Sequence, residues 1–127
     1  MFLNQILRSF TKCRAWTLSE YGNLSSLKID EIEIQDPKSD EVQVRMEYSP
    51  INPADIRFME GAYGTPDLPV VPGWEGAGVV TSIGSNVSTN LIGKRVATSH
   101  LGIGGAWSEF ATVSTNNITV IPDNVAP

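Results

Sequence analysis

Two glycine clusters hold the residue types that could do chemistry in this chain. Residues 71–80 read VPGWEGAGVV and place Trp74 and Glu75 among three glycines, and a second cluster reads LGIGGAW. Glycines in the order G-x-G-x-x-G, between a strand and a helix, can cradle the pyrophosphate of a dinucleotide. Residues 73–78 instead have the order G-x-x-G-x-G and lead into a strand-like run, and the second cluster ends at Trp107. We therefore interpret both clusters as turns of a β domain.

A metal centre is the other chemistry that these residue types could support. Protein zinc sites need several cysteine or histidine ligands. The chain has one histidine, His100, and one cysteine, Cys13, and no Cys or His neighbour completes a ligand set around either. We expect no metal site, and the single cysteine also excludes an internal disulfide.

Composition limits the class of partner. The 127 residues are 41% hydrophobic and 18% charged, which suits one globular domain with a single core. The formal net charge of −5 argues against nonspecific binding to nucleic acid or to an anionic membrane surface. No apolar run approaches the length of a membrane span.

The first residues differ from the rest of the chain. The stretch MFLNQILRSFTKCR contains three basic residues and no acidic one, and Phe2, Ile6 and Phe10 share one helical face. A basic amphipathic start is typical of a mitochondrial transit peptide. We predict that residues 1–14 are a leader to the mitochondrial matrix, helical or disordered and outside the β core, and that residues 15–127 form the folded domain. A frayed extension that lacks acids by chance is the alternative.

The body of the chain reads mostly as short strands. A first strand covers CRAWTLS. The next runs from Leu27 to Ile34 and changes the phase of its apolar alternation, which indicates a bulge or bend near Asp30. A third has Val42 and Val44 in the alternation of a half-buried strand. Four more strands follow, over residues 76–84, 93–99, 106–113 and 118–122.

One short helix interrupts the strands. In the stretch INPADIRFMEG, Asn52 can cap the helix, Pro53 suits its first position and Gly61 can end it. No pattern indicates a long helix. Many short strands with one or two short helices predict a compact, mainly β domain, either barrel-like or a sandwich.

The order of several motifs resembles a known family. The stretches SPINPADIRFMEGAYG, LPVVPGWEGAGVVTSIGSNV, GKRVATS, GGAWSEFATV and VIPDNVAP follow one another as in the N-terminal, GroES-like domain of medium-chain dehydrogenases/reductases. The resemblance covers roughly residues 12–127 and implies a GroES-like, partly open β-barrel. In such enzymes a doubly wound Rossmann domain follows, and we expect it to be absent from this chain, which ends at Pro127.

The resemblance points to the zinc-free branch of that superfamily. Zinc members have a histidine between the glycine and the glutamate of the GWE motif, and a cysteine near the start of the short helix. Here Trp74 and Asn52 occupy those places, and the four-cysteine structural lobe is missing. Zinc-free members use a nicotinamide cofactor with bulky side chains in place of the ion. They include the mitochondrial 2-enoyl thioester reductases and the zeta-crystallin-like quinone reductases.

The resemblance also implies roles for four residues. Tyr63 matches the tyrosine that is taken as proton donor or substrate orienter in enoyl reductases, where hydride addition leaves an enolate that needs a donor. Asn52 matches an asparagine near the cofactor, and Trp74 and Glu75 would line the substrate cleft. From the residues alone, Tyr63 is also consistent with a loop aromatic, Trp74 with a packing residue and Glu75 with a structural hydrogen-bonding group.

Three interpretations of the whole chain remain open. The resemblance favours the catalytic, substrate-binding half of a zinc-independent, NADPH-dependent 2-enoyl thioester reductase, and the leader agrees with it. A quinone-reductase fragment and a shortened, non-catalytic subunit of a mitochondrial assembly are the alternatives. We expect the chain alone to be inactive and to use NADPH only with a cofactor domain supplied elsewhere. Its expected partners are that domain or subunits of the assembly, with a thioester or quinone as substrate.

Overall fold

The computed structural model describes residues 10–100 and 103–127. Within these ranges the chain forms seven strands, one α-helix and three single 3-10 turns. The elements are β1 (Phe10–Thr17), β2 (Lys28–Gln35), β3 (Glu41–Tyr48), α1 (Pro53–Met59), β4 (Glu75–Ile83), β5 (Arg95–Ser99), β6 (Phe110–Ser114) and β7 (Ile118–Val120). The 3-10 turns cover Leu24–Ser26, Thr89–Leu91 and Thr115–Asn117.

The strands form one antiparallel hairpin and one antiparallel five-stranded sheet. The hairpin pairs β1 with β2, and the order in the sheet is β6-β3-β4-β5-β7. The two edge strands of the sheet, β6 and β7, are not paired with each other in the described residues, so the sheet stays open. The predicted mainly β, partly open architecture is confirmed, and the described ranges contain no doubly wound parallel sheet. They also contain no helix long and apolar enough to cross a membrane.

Valine side chains fill the core of the large sheet. Val42 and Val44 of β3 are fully buried and pack with Val80 of β4 and Val96 of β5. Side chains alternate between the faces of a strand, and β-branched residues suit such a surface. Gln43, which lies between the two valines, is also buried because the hairpin covers that face of the sheet.

A second, smaller core forms where α1 packs against the end of the hairpin. Phe58 and Met59 of the helix are buried together with Leu18 and Val70. The helix begins and ends as the sequence predicts, with Asn52 at its N-cap. Gly61 lies just beyond the helix with a φ of 83°, a left-handed conformation that glycine adopts without strain.

The hairpin contains residues that the sequence pattern assigns to the leader. The prediction that residues 1–14 stay outside the β core is wrong for residues 10–14, which pair in continuous register with β2. The basic residues of this stretch lie opposite acids across the hairpin, as Lys12 does with Glu33, and such pairs stabilise a sheet. Residues 1–9 lie outside the described residues, so the mitochondrial leader itself stays a prediction.

A bulge or bend is predicted near Asp30, and the bulge is wrong. β1 and β2 pair without any shift in register. The apolar alternation changes phase because Asp30 takes an inward position, where its Oδ2 accepts a hydrogen bond of 2.7 Å from the hydroxyl of Thr17. Ile29 consequently points to the other face of the hairpin and is 56% exposed.

β6 begins at Phe110, four residues later than predicted. The residues before it connect the sheet to the hairpin through backbone hydrogen bonds. The N–H of Trp16 donates to the carbonyl of Trp107, and the N–H of Glu109 donates to the carbonyl of Arg14, each at 2.9 Å. The strand-like pattern of residues 106–109 therefore belongs to a connecting segment that pairs with β1, and not to β6. The other three late strands agree with the prediction to within two residues at each end.

Candidate functional site

The start of α1 positions the first candidate residue, Asn52. As the N-cap residue it has an extended backbone, and its N–H donates to Oδ2 of Asp55 at 2.8 Å. Its side-chain amide reaches away from the helix, and Nδ2 donates to Oε1 of Glu75 at 2.8 Å. The glutamate of the glycine-rich stretch is therefore held by the asparagine that opens the helix, which gives Glu75 the structural role that the sequence left open.

Asp55 connects the start of α1 to the glycine-rich stretch at Trp74, and the sequence patterns do not identify it as a site residue. It is fully buried, and its Oδ1 accepts the backbone N–H of Trp74 at 3.0 Å. The only signal in the sequence is an acid at the third position of a predicted helix, directly after Asn-Pro-Ala, where a carboxylate can accept the N-cap N–H. That pattern predicts the local bond to Asn52 but gives no indication of the bond to Trp74.

Tyr63 and Trp74 form an aromatic pair beside the helix. Their ring centroids are 4.8 Å apart at an interplanar angle of 50°. Trp74 also meets Phe58 edge-on at 5.9 Å, which ties it to the second core. Tyr63 is 53% exposed, so its side chain lies on an open face and not inside the core. The structure thus brings all four candidate residues together as two contacting pairs, and their catalytic roles stay predictions.

The indole N–H of Trp74 is a donor that the described residues leave unused. Its Nε1 is buried and has no hydrogen-bond partner among them. A buried N–H without a partner costs free energy. The contacts of the ring with Phe58 and Tyr63 agree with a packing role, and the buried Nε1 is a polar group without a partner among the described residues.

The glycines beside Trp74 allow close packing of the backbone. Gly73 has a φ of 97°, and a Cβ there would overlap the side chain of Trp107. A Cβ on Gly78 would overlap the carbonyl of Arg45 in the neighbouring strand β3. The cluster leads directly into β4 and not into a helix. The interpretation as a turn thus holds at Gly73, whereas Gly76 and Gly78 lie within β4, and no helix follows that could form a phosphate cradle.

His100 is buried next to the backbone of Trp74 and is hydrogen-bonded. Its backbone N–H donates to the carbonyl of Trp74 at 2.6 Å, and its Nε2 is 2.9 Å from Oγ1 of Thr98. Burial lowers the pKa of His100 to about 4, so the ring is neutral at pH 7. No three His, Cys, Asp or Glu side chains come together within residues 10–100 and 103–127 to form a metal-binding group.

A groove of about 570 Å³ opens next to the site, between the hairpin and the end of β3. Its walls are mainly apolar, and its rim carries the ion pair between Arg14 and Glu109, whose closest atoms are 2.8 Å apart. The hydrogen bonds from Arg14 hold the pKa of Glu109 below its usual range. The apolar lining residues are Ala15, Trp16, Leu27, Ile29, Met46, Tyr48, Ile51, Ala106 and Trp107. Ile51 directly precedes Asn52, so the groove borders the site without containing Tyr63 or Trp74.

Comparison with known proteins identifies the same family that the order of motifs indicates. The family described as "Alcohol dehydrogenase GroES-like domain" matches residues 38–123. The mitochondrial enoyl-[acyl-carrier-protein] reductase of Xenopus tropicalis is 37% identical to the chain over 103 residues, which cover 80% of this chain and 29% of the reductase.

Solved structures give the same result. The quinone oxidoreductase of Pseudomonas syringae pv. Tomato DC3000 superposes with a TM-score of 0.83 and 32% identity, over 90% of this chain and 35% of that one. The Escherichia coli quinone oxidoreductase, solved in complex with NADPH, gives a TM-score of 0.81 and 27% identity, over 89% of this chain and 34% of that one. The chain therefore spans about a third of the length of these relatives.

Proposed function

Because the chain belongs to the alcohol dehydrogenase GroES-like domain family of the medium-chain dehydrogenase/reductase superfamily, we propose that it is the substrate-binding part of a zinc-independent, NADPH-dependent 2-enoyl thioester reductase. The observation that carries this proposal is the cluster of Tyr63 and Trp74 beside Asn52 and Glu75, in a chain 37% identical to a mitochondrial enoyl-[acyl-carrier-protein] reductase.

Tyr63 is the residue to which we assign acid chemistry. When bound, NADPH would supply the hydride that adds to the β-carbon of the enoyl thioester. The electron pair of the carbon–carbon double bond then moves toward the thioester oxygen, and the α-carbon finally takes up a proton. The exposed hydroxyl of Tyr63 is an O–H donor, so it can donate a hydrogen bond to that oxygen and then serve as the proton source.

The described residues could contact the nicotinamide end of NADPH but offer no site for its phosphates. Asn52, whose Nδ2 donates to Glu75, matches the family's asparagine near the cofactor, and it would contact the nicotinamide end. The glycine cluster at residues 73–78 runs into β4, which begins at Glu75, and offers no helix N-terminus for a pyrophosphate. The proposal therefore places the phosphates on a cofactor-binding part outside the described residues.

The groove beside Asn52 supports a partner for this face. Ile29, Tyr48 and Ile51 are 56%, 60% and 74% exposed around it. A soluble protein rarely leaves a contiguous apolar surface uncovered. We assign this face to the contact with the cofactor-binding part or, in the accessory-subunit alternative, with another subunit of a mitochondrial assembly.

The mitochondrial matrix is the proposed location. The names of several relatives, which are mitochondrial enoyl-[acyl-carrier-protein] reductases, support it. The acid-free start of the sequence adds less support, because two of its three basic residues, Lys12 and Arg14, lie in β1 and pair with β2. A quinone as substrate is the second candidate, favoured by the fold similarity to quinone oxidoreductases at 32% identity.

A domain chimera tests the proposed function. Residues 10–127, put in place of the matching N-terminal part of the Xenopus tropicalis reductase, should oxidise NADPH when a 2-enoyl thioester is added. Residues 1–127 alone should show no NADPH binding by fluorescence or calorimetry, because the phosphates have no cradle. Micromolar binding by the chain alone would contradict the proposal. A folded chimera that reduces only quinones would favour the second candidate, and a folded chimera that reduces neither would favour the accessory subunit.

Zinc analysis tests the zinc-free assignment. Trp74 offers no ligand where zinc members have a histidine, so the purified, untagged chain should carry far less than one zinc per molecule. Inductively coupled plasma mass spectrometry, after incubation with zinc and gel filtration, gives the measurement. One retained zinc per chain would exclude this branch of the superfamily.

A further inference from the structure

The carboxylate of Asp55 divides its two oxygens between two segments of the site. Oδ2 accepts the backbone N–H of Asn52 at 2.8 Å, and Oδ1 accepts the backbone N–H of Trp74 at 3.0 Å. The residue is fully buried. None of the salt bridges within the described ranges involves it. A buried carboxylate is costly unless hydrogen bonds replace its hydration, so these two backbone donors are what hold it there.

Each of the two donors belongs to one of the contacting pairs in the cleft. Nδ2 of Asn52 donates to Oε1 of Glu75 at 2.8 Å. The ring of Trp74 packs against that of Tyr63, with the centroids 4.8 Å apart. The two segments lie far apart in sequence. This one carboxylate joins their backbones, in addition to the side-chain bond from Asn52 to Glu75 and the contact of Phe58 with Trp74. A shift of either backbone would change the distance between the amide of Asn52 and the ring of Tyr63.

We propose that Asp55 is a positioning residue of the site, which sets the placement of the Asn52–Glu75 pair relative to the Tyr63–Trp74 pair. It touches neither substrate nor cofactor and acts through the two backbone N–H groups. Its consequence for catalysis rests on the proposed function, whereas the positioning itself can be measured on the chain without any activity.

Hydrogen exchange in the variant Asp55→Asn is the first test. The carboxamide has nearly the same shape but only one acceptor oxygen, and its NH2 group would face the other donor. The amides of Asn52 and Trp74 should therefore exchange faster, at least one of them by about tenfold or more, because a bond to a charged acceptor is lost. Val80 of β4, whose N–H donates to the carbonyl of Lys94 just before β5 at 3.0 Å, serves as the reference amide.

Val96→Ala is the matched control for general destabilisation. Val96 is fully buried in the sheet core, away from the cleft. Its truncation should raise exchange at Val80 and at the two site amides alike, as global opening does. Faster exchange confined to Asn52 and Trp74 in Asp55→Asn, together with changed resonances of the Asn52 amide and the Trp74 indole, supports the proposal. Equal acceleration at Val80 would overturn it.

A measurement on the unmodified chain covers the case in which Asp55→Asn does not fold. Scalar couplings across hydrogen bonds should connect Cγ of Asp55 with the backbone nitrogens of both Asn52 and Trp74. Absence of both couplings in a well-resolved spectrum would overturn the proposal.

In the chimera, Asp55→Asn should lower kcat more than it changes KM for the thioester. An inactive chimera with the local exchange effect intact would refute the proposed function and leave the positioning role standing.

Discussion

Replacing Tyr63 by phenylalanine in the chimera should lower kcat for a 2-enoyl thioester by roughly 10²–10⁴-fold, because the change removes both the hydrogen-bond donor and the proton source of the proposed reaction. The phenylalanine ring can still pack on Trp74, where the tyrosine ring now lies at 4.8 Å. The free energy of unfolding should therefore hardly change. Steady-state oxidation of NADPH and urea denaturation measure the two quantities.

Tyr21→Phe is the matched control for that experiment. It removes a phenolic hydroxyl that has a structural partner, since the hydroxyl of Tyr21 donates to the carbonyl of Pro66 at 2.7 Å. This control should lower the free energy of unfolding by about 1 kcal/mol and leave kcat nearly unchanged. A Tyr63→Phe chimera that keeps more than about a tenth of the parental kcat would refute the role of Tyr63 as acid.

The elements that sequence patterns predicted well are those whose signals are local. The helix α1 has its cap, its proline and its terminal glycine within ten residues, and it begins and ends as expected. The alternation of Val42 and Val44 likewise identifies β3 without reference to any other strand. In both cases the physical cause of the structure lies inside the segment itself.

The predictions that failed depended on partners distant in sequence. The inward position of Asp30 is stabilised by Thr17, which lies on the other strand of the hairpin. The basic residues of β1 pair with acids of β2, and the same charges in isolation indicate a transit peptide. A one-dimensional pattern cannot show whether a polar residue has a partner across a hairpin.

In the candidate site, too, local signals were predicted and contacts between distant residues were not. The family resemblance named Asn52, Tyr63, Trp74 and Glu75, but only the structure shows how they pair. Asp55 could not be found, because one of its two donors is the N–H of Trp74, nineteen residues later. Backbone groups carry no residue-specific signal, so a side chain that binds a backbone group distant in sequence leaves no pattern, unlike the local bond of Asp55 to Asn52.

The chain should lose about 2 kcal/mol of its free energy of unfolding between pH 7 and pH 5 through His100. Burial lowers the pKa of this residue to about 4 in the folded chain, whereas an unfolded histidine has a pKa of about 6.5. Between these values the unfolded state binds more protons than the folded state, so stability falls as the pH falls. The decrease should reach about 3 kcal/mol near pH 4. Urea denaturation at closely spaced pH values measures it.

The variant His100→Gln separates this effect from that of the carboxylates. Glutamine can still reach the hydroxyl of Thr98 but does not titrate, so its free energy of unfolding should change far less between pH 7 and pH 5. Glu109 cannot account for the difference, because its pKa is lowered by Arg14. Any stability it contributes is present above its unfolded pKa and is lost only as the pH falls through the lower, folded value. Equal pH dependence in the parent and the variant would show that His100 is not buried as a neutral ring.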